Sequence, residues 1–326
     1  MMSRILTFSK AINEALHQEM EHDEKVFILG EDVAKMGGDF GITSGIWQKW
    51  PTRAFDTALS ESAIIGLSAG AAVCGLRPVA ELMFADFIGV CYDQIVNNAA
   101  KLCYMYNGKA SAQMVVRAVT GGGIRCAYQH SQCIEPWLMN IPGLVVVAPA
   151  TPYEAKGLLV SSIRSNNPVV FLEHKGLYNT KGDVPEELYA LPLYQANVER
   201  QGADITIVAA MSMLSFAKRA ADELAPQGIS CEIINPRTLF PLDKETIINS
   251  VAKTGRLVVI QEGPKVMGYG AEIGAMVYED VFEYLKGPVK RVTSLDTPVP
   301  FAPVMEDYVL PHYDDVLKAC NELMAF

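Results

Sequence analysis

Apolar positions in this chain switch between two periods, and the switches set out its elements. Residues 7–20 carry apolar groups at helical spacing, whereas 26–30 is a continuous apolar run that reads as a buried strand ending on Glu31 and Asp32. A segment of small residues follows at 60–75. Ser60 stands at its N-cap, Glu61 falls in its first turn, and Ile64, Ile65, Leu67, Val73 and Leu76 supply an apolar lining up to the stop at Gly75 and Pro78. The middle of that helix, with Gly66, Ser68, Ala69, Gly70, Ala71 and Ala72, is too small-sided to fill a core, so a second backbone is expected to approach it, a helix of this or another subunit. Strands are expected at 79–84, 113–119, 143–149 and 168–174, with a long amphipathic helix over 85–106 and another over 151–167. Residues 175–202 lose all periodicity. Beyond them strands at 204–210, 230–235, 256–262 and 289–295 alternate with helices at 212–224, 243–251, 269–285 and 312–323. Strands alternating with helices imply parallel sheets covered on both faces. The expected fold class is therefore α/β, with two parallel-sheet domains at 1–180 and 203–326 joined by a linker at 181–202.

Composition narrows the function. The chain has 326 residues, half of them hydrophobic, enough to fill two cores. A formal net charge of -10 with no run of Lys or Arg argues against nucleic acid or an anionic membrane as partner. No stretch approaches the roughly 18 uninterrupted apolar residues of a membrane span, and the first residues lack a signal-peptide core, so a soluble, cytoplasmic protein is expected. Seven cysteines without CxxC spacing read as reduced core residues.

Several positions invite chemistry, each with a plainer alternative. Glu61 is either a helix-start acid interacting with the macrodipole, worth about 0.3–1 kcal/mol, or a carboxylate whose pKa apolar burial raises until it shares a proton at neutral pH. Glu31 and Asp32 end a strand, where parallel α/β sheets place their sites, but solvated loop acids fit the same position. The glycine-rich segment 36–53, with Trp47 and Trp50, reads as a loop folded over something. Gly121, Gly122 and Gly123 permit close backbone approach or a simple turn. His130, in a polar loop before a strand, is a candidate site residue or a surface histidine. The nearest GxGxxG, at Gly268, Gly270 and Gly274, has its third glycine one residue late, and GxxxxGK[ST], GxSxG and HExxH are missing. Nicotinamide binding, serine catalysis and zinc hydrolysis thus lack support.

Taken together, ILGED, LSESAIIGLSAGAA, GLRPVAELMFADF, YQHSQ, IPGL, TPYEAKGLL and NNPVVFLEHK resemble the beta subunit of the thiamine-diphosphate-dependent component of 2-oxo acid and acetoin dehydrogenase complexes, a transketolase-like family. The resemblance runs from about residue 4 to near the C-terminus. It implies a pyrimidine-binding domain followed by a transketolase-type C-terminal domain. Glu61 would hydrogen-bond the cofactor's pyrimidine nitrogen, and Leu59, Met83 and Phe87 would contact its aminopyrimidine. His130 would face the substrate and assist transfer to a lipoyl group, and Glu31 resembles an acid thought to link paired sites. Met114, Ser162, Ile163, Ser165 and Asn167 match positions that hold a structural monovalent cation, K+, mostly through carbonyls. Ser165 stands where an aspartate is often found, which weakens that cation's case.

The chain has no GDG motif, so neither Asn97-Asn98 nor Asn166-Asn167 completes a diphosphate and Mg2+ site. The resemblance assigns that half to a separate alpha subunit, in an α2β2 assembly that passes its acyl group to a lipoyl-bearing acyltransferase. The wording TPYEAKGLL and FLEHKGLY tilts the substrate toward acetoin, with pyruvate and branched-chain 2-oxo acids open. Two alternatives stand beside this. A split transketolase or deoxyxylulose-phosphate-synthase-type half needs a basic residue on a sugar phosphate, for which Arg117 and Arg125 are the candidates. A non-catalytic assembly subunit needs no site at all.

Overall fold

Continuous apolar runs in the first half of the chain become strands buried on both faces. The computed structural model describes residues 3–326 and divides into two units, each considered by itself. The first comprises the residues up to Thr120 together with Leu138–Leu193. Its strands are β1 (Ser3–Thr7), β2 (Val26–Gly30), β3 (Ala54–Asp56), β4 (Arg77–Leu82), β5 (Val115–Thr120), β6 (Val145–Val147), β7 (Val169–His174) and β8 (Lys181–Pro185). Six of them lie in the order β6-β7-β5-β4-β2-β3, every pair parallel. All their carboxyl ends therefore share one edge, where such sheets carry ligands.

Capping fixes where the covering helices begin. Thr7 and Thr151 accept hydrogen bonds from the Lys10 and Glu154 amides at the starts of the Phe8–His22 and Pro152–Arg164 helices, and Pro152 opens the second. These two helices are cross-linked by charge. Arg164 Nη2 donates to Glu19 at 2.7 Å, and the wholly buried Lys156 donates to Glu14 at 2.6 Å and to the carbonyls of Pro185 and Glu186.

The second unit comprises Gly121–Trp137 and Tyr194–Phe326. It holds β9 (Asn197–Arg200), β10 (Ile205–Ala209), β11 (Cys231–Asn235), β12 (Thr238–Phe240), β13 (Leu257–Pro264) and β14 (Lys290–Ser294). Its five-stranded sheet runs β14-β13-β10-β11-β9, parallel except at the β9 edge. Helices Met213–Leu224, Lys244–Thr254, Tyr269–Val281 and Tyr313–Met324 alternate with these strands as the spacing predicts.

Some local expectations differ from what forms. The stretch 181–202 contains two strands: β8 pairs antiparallel with β1 in the first unit, and β9 pairs with β11 in the second. Both are edge strands of mixed exposure, which is why no clean alternation marks them. The long helix expected over 85–106 is instead a broken path: 3-10 turns at Ala85–Gly89 and Ala99–Lys101, a π-turn at Gln94–Asn98 and one α-turn at Leu102–Met105. Its apolar stripe is not buried as a unit, since Val90, Tyr104, Met105 and Tyr106 are exposed, and the Asn97 and Asn98 amides bond back to Asp93. All seven cysteines are free, yet only Cys91, Cys231 and Cys320 are buried. Among the described residues no helix is long and apolar enough to cross a membrane.

Candidate active site

Glu61 opens the Glu61–Val73 helix directly after β3, at the carboxyl edge of the first sheet. Ser60 precedes it, but its side chain makes no capping bond. The helix is half-buried rather than buried: Ile64, Ile65, Ser68, Ala69 and Ala72 face the core, whereas Leu67, Val73 and Leu76 of the expected lining are exposed. A methyl group added to Gly66 would reach only Gln94 Cγ, at 3.8 Å, and one added to Gly70 would meet nothing within 4 Å. The close backbone expected against this face is thus not in the first unit. Leu59, two residues before Glu61, is 84% exposed.

Met83 and Phe87 follow the end of β4 and are half-buried. Phe87 stands edge-on to Phe84, which meets Phe40, and Phe40 lies 5.0 Å from Tyr178. Glu31 follows the end of β2, so Glu31, Leu59, Glu61, Met83 and Phe87 converge on one sheet edge. Burial pushes the Glu31 carboxyl above its usual range, and the negative charges of Glu61, Asp32 and Asp39 add to it. Beneath Glu61 the buried Cys91 thiol is pushed up to about 12 by burial, with the Glu61 charge contributing.

The glycine-rich loop does fold over something, and that is Glu81. Gly38 sits at φ +78°, and a Cβ there would lie 3.2 Å from both Glu81 Oε1 and Thr43 Oγ1. Glu81 belongs to a buried charge network. Arg117, 1% exposed, donates through Nε and Nη2 to both oxygens of Glu173 at 2.6 and 2.9 Å, and through Nη1 to Glu81. The Tyr178 hydroxyl donates to Glu173 at 2.9 Å. Burial pushes Glu81 upward while the Arg117 charge opposes it. A guanidinium held in this way is not offered to a sugar phosphate.

The five positions read as cation ligands lie in one region of the first unit. Met114, Ser162 and Ile163 are buried, and the Ser162 hydroxyl donates to its own helix at the Leu158 carbonyl. The Ile163 and Ser165 carbonyls already accept hydrogen bonds from Arg77 Nη1, at 2.8 and 3.2 Å. Asn167 donates its amide to the Ser165 hydroxyl. With a guanidinium already on the Ile163 and Ser165 carbonyls and serine rather than aspartate at 165, this donor set fits a tightly held K+ poorly.

His130 lies in the 121–137 segment, which folds with the second unit, and it is half-buried. Arg125, in the same segment, donates to Glu306 at 2.7 Å and to Asp307 at 3.0 Å. Among the described residues no cluster of three or more His, Cys, Asp or Glu is arranged to hold a metal ion.

Comparison with known proteins decides the family. Residues 5–181 match the family model described as transketolase, pyrimidine binding domain, and 194–316 match transketolase, C-terminal domain. The acetoin:2,6-dichlorophenolindophenol oxidoreductase beta subunit of Cupriavidus necator is 47% identical, over 99% of this chain and 98% of its own length. The Bacillus subtilis 2-oxoisovalerate dehydrogenase beta subunit is 43% identical, over 99% of both. This chain belongs to that family of beta subunits. Its pyrimidine-domain match contains the Glu61 edge, the buried Arg117 network and the His130 segment. A solved split-gene transketolase, an inactive beta4 tetramer, superposes with a TM-score of 0.81, covering 98% of both chains at 22% identity, which shows the shared fold.

Two groups were not singled out by sequence reasoning. The Arg117 network had a visible signal, since β4, β5 and β7 are buried runs each interrupted by a charge, and opposite charges on neighbouring strands sit in register, Glu81 opposite Arg117. The contacts of Glu306 and Glu262 to the glycine loop had none. They join residues more than 130 positions apart.

Proposed function

We propose that this chain is the beta half of an acetoin- or 2-oxo-acid-dehydrogenating component, working in the cytoplasm with an alpha subunit as α2β2. The pair would cleave its substrate on thiamine diphosphate and pass the acyl group to lipoyl on an acyltransferase core. The observation that carries the reading is Glu61 at the carboxyl edge of a parallel sheet, beside apolar side chains that its own unit leaves uncovered. When bound, thiamine diphosphate supplies the electron sink for breaking the bond next to the carbonyl.

This chain's residues hold and orient. Glu61 shares a proton with the pyrimidine nitrogen, and Leu59, Met83 and Phe87 give a flat aromatic ring the apolar contact it needs. Glu31, its carboxyl pushed up by burial and neighbouring acids, is suited to hold a proton and relay it. His130 serves the substrate end. The diphosphate and its Mg2+ belong with the alpha subunit, and Arg77 takes the place of a monovalent cation at the carbonyls of Ile163 and Ser165.

Identities of 47% and 44% to two acetoin oxidoreductase beta subunits support acetoin as substrate, with 2-oxoisovalerate and pyruvate as alternatives. A split-transketolase activity is not favoured, because Arg117 and Arg125 are both committed to carboxylates. The test is co-purification with candidate alpha chains. Dye reduction is then measured with thiamine diphosphate, Mg2+ and a panel of acetoin, pyruvate and 2-oxoisovalerate. Turnover is expected only from the mixed complex, fastest with acetoin. Turnover by this chain alone would overturn the half-site reading.

A further inference from the structure

The segment that carries His130 has almost no regular structure of its own. Gly121 and Gly123 lie at φ +89° and +87°, and two residues with side chains, Arg125 and Ala127, are also held at positive φ, 65° and 59°. Such conformations are strained in non-glycine residues and persist only where the surroundings fix them. Within the second unit two carboxylates hold the loop backbone, while the Arg125 side chain also reaches Asp307 and the Pro303 carbonyl. Glu306, 0% exposed in the Pro303–Val309 helix, accepts the Gly123 amide at 2.8 Å, the Arg125 amide at 3.1 Å and the Arg125 guanidinium at 2.7 Å. Glu262, in β13, accepts the Gly122 amide at 2.5 Å and the Ser212 hydroxyl at 3.2 Å. Leu310 closes the space above: a Cβ on Gly122 would come 3.0 Å from its Cδ1.

We infer that Glu306, with Glu262 beside it, is a positioning residue for His130, acting on the reaction through the loop without touching substrate. The inference rests on the reading of His130 as the residue at the substrate end. Hydrogen bonds to an ionised carboxylate are about twice as strong as neutral ones, and two carboxylates that take the Gly122, Gly123 and Arg125 amides leave the backbone few ways to move. His130 follows five residues after Arg125, and its own amide bonds to Ala127, so the geometry passes from the clamp to the imidazole within one turn. Only a carboxylate fits. Glutamine at 306 would turn a donating NH2 toward the Arg125 donors or toward Gly123, and aspartate would withdraw the oxygens by about 1.5 Å.

The test uses the assembled complex with thiamine diphosphate and Mg2+. Glu306→Gln and Glu306→Asp are each expected to lower kcat by about 10- to 100-fold, the scale of a displacement near 1 Å, with KM little changed and the complex intact. Hydrogen exchange at residues 121–130 should accelerate in both. The two-residue cycle with His130→Ala decides the route: if Glu306 acts through His130, adding Glu306→Gln to His130→Ala costs nothing further. Fully multiplicative losses, or unchanged kcat with accelerated exchange while His130→Ala is inactive, would overturn the inference. A fully active His130→Ala would instead sink the reading beneath it, and exchange in the glutamine variant would still report on the clamp. Should Glu306→Gln fail to assemble, Glu262→Gln, which loosens the same loop at Gly122, carries the same expectations.

Discussion

The first unit contains two groups of acids that meet opposite fates. Glu81 and Glu173 are sealed in the sheet, and one guanidinium with a tyrosine hydroxyl satisfies them. Glu31, Asp32, Asp39 and Glu61 gather at the sheet's carboxyl edge, and the neighbours that act on Glu31 are all acids. A folded chain tolerates buried carboxylates when it brings its own cation. Like charges gathered without one make sense at an edge where a ligand or partner completes the set. Compensated acids serve the fold, and the uncompensated ones are those on which the proposed reaction would draw.

That contrast breaks first at Glu61. Glu61→Gln is expected to lower turnover of the mixed complex by about 100- to 10,000-fold, the range of a lost acid-base group, while denaturant unfolding and assembly stay as in the parent. Unchanged turnover would leave the chain as an assembly subunit. Arg117→Met should do the reverse through stability. Removing the shared cation leaves two buried acids, and the unfolding midpoint should fall by the equivalent of about 3–5 kcal/mol. Replacing Arg117, Glu81 and Glu173 together with apolar or amide residues should recover much of that loss, because the desolvation cost leaves with the charges.

A smaller effect sharpens the comparison at Glu31. Its folded pKa lies above the ordinary value of 4.5, so its stability contribution is fully present below pH 4.5 and is lost as pH rises through the folded value. Glu31→Gln should therefore make the melting temperature less sensitive to pH between 4 and 7, gaining most at the upper end. The smallest difference concerns Arg77. Turnover in K+ and Na+ buffers should be indistinguishable in the parent, and a K+ requirement should emerge in Arg77→Met as the freed carbonyls take up the ion.

The sequence conveyed the sheets well, because strands buried on both faces write themselves as unbroken apolar runs such as VVVAP and LVVIQ. It was weaker wherever exposure was partial. The β8 and β9 edges carry no clean alternation, and the 85–106 segment has the apolar count of a helix without a single face to bury it. Among the candidate site residues, the placement of Glu61 and Glu31 was legible, at helix and strand ends. The half-exposure of the Glu61 helix was not, since periodicity says which residues are apolar and not which neighbour covers them. The Arg117 cluster could have been read from lone charges inside apolar strands. Glu306 could not, because two of its partners are the Gly123 and Arg125 backbone amides, which leave no trace in side-chain identity, and the third, the Arg125 guanidinium, lies 181 positions away.

The polypeptide crosses between its two units three times, after Thr120, Trp137 and Leu193, so neither unit is one uninterrupted piece of chain. Synthesis from the N-terminus therefore delivers the His130 segment long before the ribosome reaches the carboxylates that hold it. A chain halted after β8 but before residue 306 could have its first sheet complete while that segment still lacked the Glu306 anchor. The last fifteenth of translation would then decide whether a finished subunit leaves with the His130 loop in place.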